Sequence, residues 1–119
     1  MQMHELESWL GDDHGLDDRE IADLMEAAEQ IEECYPDPDD QDEAQAALTT
    51  AYRLMVEEPE AVIAELNAAR TRARVAEIAA LASLRQAARQ LIPAGDRTEA
   101  GFAREAGVDR MVVRKWLGK

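Results

Sequence analysis

An all-α fold is what this sequence predicts, and three observations carry the prediction. Aromatic residues make up only 4% of the chain while Ala, Glu, Leu and Arg dominate, a composition that suits helices and starves a sheet. Apolar residues recur at steps of three and four over long stretches, the spacing of one helix face. Capping residues stand where those stretches begin. With 119 residues, 46% of them hydrophobic, the chain has material for one modest domain or a small pair sharing a helix.

The first element expected is a short helix from Met1 to Leu10 carrying Trp9, broken by Gly11 and Gly15 around "DDH". Asp17 then caps a longer helix. Glu20 lies three residues on, as a capping box requires, and Ile21, Leu24, Met25, Ala28, Ile31 and Tyr35 mark its apolar face up to Pro36. "PDPDDQD" reads as a rigid, charged turn, and Ala44, Ala47, Leu48, Ala51 and Met55 mark the next helix, which ends near Glu58. These two helices should form a hairpin, so that residues 1–58 make an acidic helical region. Cys34, the single cysteine, permits no intrachain disulfide and is expected as a reduced, half-buried thiol.

Pro59 suits the first turn of a new helix, and no proline or glycine follows it before Ile92. Residues 59–92 therefore predict one long helix, on the order of 50 Å at 1.5 Å per residue. Leu66, Ala69, Ala73, Ala76, Ala80, Leu84, Ala87 and Leu91 step along it as a heptad seam with one stutter. Small residues in such a seam allow close approach of another helix. Leu66, Ala69, Ala73, Ala76 and Ala80 are accordingly the candidate contacts of a homodimer, with packing against the chain's own hairpin as the alternative. Val75, Ile78 and Leu81 form a second apolar stripe.

The last region, residues 93–119, opens with a break at Pro93 to Arg97. Thr98 is an N-cap, a short helix runs to Ala106, Gly107 closes it and Asp109 caps the next. Ala103 is small enough for two helices to cross closely, Gly107 permits the positive φ of a turn, and Phe102, Ala106, Val108, Val113 and Trp116 supply a shared core. This pattern in "FAREAGVDRMVVRKWL" resembles the helix-turn-helix DNA-binding domains of the phage-repressor and resolvase type, and the endings of many small actinobacterial regulators. The resemblance covers Thr98 to Gly118, with residues 83–92 as the first helix of a three-helix unit. It implies that the helix after Asp109 enters the major groove. Two departures stand out: Gly101 lies inside the first motif helix, and Asp109 replaces the usual serine cap, placing a carboxylate near phosphate.

With Val113 pointing inward, Met111, Arg114, Lys115 and Gly118 face out and Arg110 flanks them. Arg110 and Arg114 are the expected base-edge readers, since a guanidinium bonds the two major-groove acceptors of guanine at once, and Met111 would touch a thymine methyl. Lys115, Lys119, Arg104 and Arg97 are expected at phosphates, which position without specifying.

Charge sorts along the chain. Residues 1–69 hold 21 carboxylates against two arginines, a net of −19, whereas residues 70–119 carry a net of +6, so the whole-chain charge of −13 describes neither part. Such asymmetry is characteristic of a nucleic-acid-facing segment joined to one with another task. The Debye length is about 8–10 Å in physiological salt, so an acidic end held several such lengths away would leave a basic reader unaffected, and one folded back would weaken non-specific binding.

Other chemistry finds little support. Asp12, Asp13, His14, Asp17 and Asp18 would hold a hard cation at most weakly, because the spacing fits no calcium loop. The sequence has no zinc-type Cys/His set, phosphate loop or nucleophile elbow, so neither an enzyme, a metal site nor a cofactor is expected. No apolar run approaches the roughly 20 residues of a membrane span and no leader is recognisable, which predicts a soluble, cytoplasmic protein. The reading is a sequence-specific regulator on double-stranded DNA, a homodimer, with the acidic part serving dimerisation or a protein partner. Its rivals are a protein-interaction module or DNA mimic built on the acidic half, and an accessory factor in recombination or plasmid partition.

Overall fold

The computed structural model describes residues 1–119 and contains six α-helices and no strand, as the all-α expectation requires. They are α1 (Met3–Leu10), α2 (Asp18–Cys34), α3 (Gln41–Val56), α4 (Pro59–Leu91), α5 (Glu99–Ala106) and α6 (Arg110–Trp116). Two compact units result, Met1–Asn67 and Ala68–Lys119, and the division falls within α4 rather than at either of its ends.

The first unit is built on the antiparallel packing of α2 and α3. At the start of α2, Asp17 accepts a hydrogen bond from the Glu20 N–H at 2.8 Å, and Glu20 accepts from the Asp17 N–H at 3.2 Å, so the reciprocal box forms as its sequence spacing indicates. Leu24, Ala28 and Leu48 are buried, with Ile21, Met25, Ile31, Ala51 and Met55 packed around them. Two residues outside the periodic helices complete this core: Leu6 of α1 is fully buried and Leu16 nearly so. The α1–α2 connection is tied down by the Tyr52 hydroxyl, which donates to the His14 carbonyl at 2.8 Å while its ring meets Trp9 edge-on.

His14 Nδ1 accepts the Leu16 N–H at 2.9 Å, so the imidazole of the "DDH" segment supports a backbone turn. The charged "PDPDDQD" stretch holds a turn of 3₁₀-helix at Pro38–Asp40, with Asp37 accepting the Asp39 N–H at 2.9 Å. One expectation fails here. Cys34 is exposed, not half-buried, because it ends α2 on the side away from Leu24 and Ala28. On the α4 side of this unit Val62 is fully buried, and Arg53 joins α3 to α4 by bonding both Glu57 and Glu65, at 2.7 and 2.5 Å.

The second unit packs the end of α4 against α5 and α6. Ala88, Phe102, Ala103 and Val113 are buried at its centre, with Leu84, Ala87, Leu91, Ile92, Ala106, Val108, Trp116 and Leu117 around them. Between α4's packed end and the first unit's boundary, residues 69–83 are exposed throughout, including Ala69, Ala73, Ala76 and Ala80. Leu66 is exposed too.

Candidate nucleic-acid interface

Two short helices and a three-residue turn set the geometry of the basic region. Thr98 begins α5 by accepting the Gly101 N–H at 3.0 Å. At the other end Gly107 takes φ = +68°, and the Val108 N–H reaches back to the Ala103 carbonyl at 3.1 Å, the six-to-one bond of a left-handed helix stop. Asp109 then caps α6 by accepting the Met111 N–H at 2.7 Å. Its carboxylate thus accepts one helix-terminal amide and faces the positive end of α6, which offsets the repulsion it would offer a phosphate. Gly101 has a local reason as well, since a Cβ there would lie 3.0 Å from the Thr98 hydroxyl that caps the helix.

With Val113 buried, α6 shows Met111 (69% exposed), Arg110 and Lys115 to solvent, and Arg114 half-exposed. The chain end returns toward α5 because Gly118 adopts φ = +80° and the Lys119 N–H bonds the Arg114 carbonyl at 3.0 Å. That turn brings Lys119, an expected phosphate contact, to the carboxylate that also meets the two expected readers Arg114 and Arg110. Glu99, the first residue of α5, accepts from Arg114 Nη1 at 3.1 Å through Oε2 and from Lys119 Nζ at 2.5 Å through Oε1, with Arg110 Nε 3.8 Å from Oε2. Its side chain is only 12% exposed. The Lys119 hydrogen bond first, then the charges of Lys119, Arg114 and Arg110, hold the Glu99 carboxyl below the ordinary range.

Met111 and Lys115 stand outside this cluster, exposed and without an ion pair, as does Arg104 on α5. Arg97 lies apart from the others, bonding Glu105 at 2.8 Å and the Asp96 carbonyl at 2.8 Å. The carboxylate at the centre is the residue that sequence reasoning passes over. Glu99 looks like an ordinary acidic residue in a first helical turn, and its partners lie 15 and 20 positions away, beyond the reach of any helical periodicity.

Comparison with models of protein families, with curated proteins and with solved structures yields no match to this chain. No helix is long and apolar enough to cross a membrane.

Proposed function

We propose that the α5–turn–α6 pair is a helix-turn-helix that binds duplex DNA in a sequence-specific manner, and that the protein acts as a transcriptional regulator through it. The observation that carries this reading is the outer face of α6: Arg110, Met111, Arg114 and Lys115 project from a helix rigidly capped at its start, within a unit whose net charge is +6. Arg114 and Arg110 read base edges, Met111 touches a thymine methyl, and Lys115, Lys119, Arg104 and Arg97 neutralise phosphates. The exposed Leu66, Ala69, Ala73, Ala76 and Ala80 on α4 support pairing with a second copy, which would present two readers to two half-sites. The net charge of −19 on the first unit favours a subsidiary role there, docking a basic protein partner.

Selection of bound sequences from random duplexes tests the reading directly. An enriched motif is expected, and Arg114→Ala should weaken binding to it by about 1–3 kcal/mol while relaxing preference at one position. Lys115→Ala should instead weaken all duplexes alike and lower the slope of log affinity against log salt by about 0.9. Failure to retain any duplex at low salt would leave the acidic unit's protein docking as the better account.

A further inference from the structure

The geometry points to Glu99 as the residue that sets how sharply the α6 reader discriminates sequence: a positioning residue that anchors Arg114 from behind while its charge discounts indiscriminate attraction to phosphate. This rests on the DNA-binding reading above. Three features lead to it. The carboxylate is nearly covered, so it is a fixed point on α5 and not a mobile competitor. Only one nitrogen of Arg114, Nη1, hydrogen-bonds to it, which leaves the rest of the planar guanidinium fork, on a side chain 41% exposed, available to a guanine edge. And the same carboxylate takes Lys119 on its other oxygen and the charge of Arg110 on its flank, so one negative group faces all three cations.

The physical consequence is an unequal effect on right and wrong sequences. Anchoring one end of a long, flexible side chain lowers the entropy lost when its other end meets a base, and that gain is realised only where the base offers matching acceptors. A random duplex offers phosphates alone. For it, Glu99 subtracts attraction from the cations nearest the backbone, with nothing returned.

Full-length protein with Glu99→Gln provides the test, measured against a random-sequence duplex pool and against the duplex enriched by selection. Removing the charge should tighten binding to the random pool by about fivefold, the scale of lost exposed charge interactions, and leave the selected duplex no tighter, so that their ratio falls. Glu99→Asp keeps the charge but draws the oxygen back from Arg114. It should bind the random pool as the parent does and the selected duplex more weakly. Arg114→Ala combined with Glu99→Gln should show the two substitutions to be non-additive on the selected duplex and additive on the random pool, the split between the two duplexes being what a purely structural role for Glu99 would not produce.

Circular dichroism establishes that each variant is folded, and Glu99→Asp decides the matter if Glu99→Gln is not. Unchanged ratios in the folded variants, or strict additivity with Arg114→Ala on the selected duplex, would overturn the role of Glu99 while leaving DNA binding intact. A parent protein that retains no duplex would remove the DNA reading and this role with it.

Discussion

Gly107 shows how much one residue type fixes. At φ = +68° it ends α5 in the left-handed region, where a side chain is strained even though a Cβ there would meet no neighbour within 4 Å. The cost of replacing it is therefore one of backbone conformation alone. Gly107→Ala should lower stability by about 1 kcal/mol, read as a fall of a few degrees in the melting temperature of the second unit, with no change in the packing of Phe102 or Val113. Gly101 is a different case. A helix-interior glycine ordinarily gains about 1 kcal/mol on becoming alanine, but here the new methyl would press on the Thr98 oxygen, so the cap explains a departure that the sequence leaves as an anomaly. Glycine at a turn is legible from spacing; glycine beside a cap is legible only once the cap's geometry is known.

Helix limits were largely readable because each rests on a local signal. Asp17 with Glu20, Pro59, Thr98, Gly107 and Asp109 act within four residues of themselves, and α2, α4, α5 and α6 begin or end where those residues predict. The turn at Pro38–Asp40 is local too, set by its prolines and the Asp37 cap, whereas the burial of Leu6 and Leu16 and the exposure of Cys34 were not readable, since each depends on what lies across the core. The Glu99 cluster belongs with them. For α4 the seam was legible as a pattern while its partner was not, because spacing records that a face is apolar and says nothing of what covers it. Ala73→Glu should resolve this. If the exposed seam pairs two copies, a charge at its middle halves the mass found by sedimentation with helicity retained. An unchanged mass would place the pairing surface elsewhere or remove it.

Taken whole, the chain is a single molecule with two opposite electrostatic characters, −19 over Met1–Asn67 and +6 over Ala68–Lys119. The first unit folds against strong self-repulsion and few internal cations, Arg53 bridging α3 to α4 and the Met1 ammonium pairing with Glu32 of α2. The second draws part of its cohesion from attraction, centred on Glu99. Added salt screens both, so it should steady the first unit and slightly loosen the second. The molecule happens to carry the means of telling these responses apart. Each unit holds one tryptophan packed against its own core, Trp9 in the first and Trp116 in the second. Trp116→Phe therefore leaves an intrinsic fluorophore that reports on the acidic unit alone, and Trp9→Phe one confined to the basic unit. On raising salt from low to physiological, the emission-monitored midpoint should climb by a few degrees in the former and stay level or drop in the latter; identical shifts would mean that the two halves melt as one cooperative body.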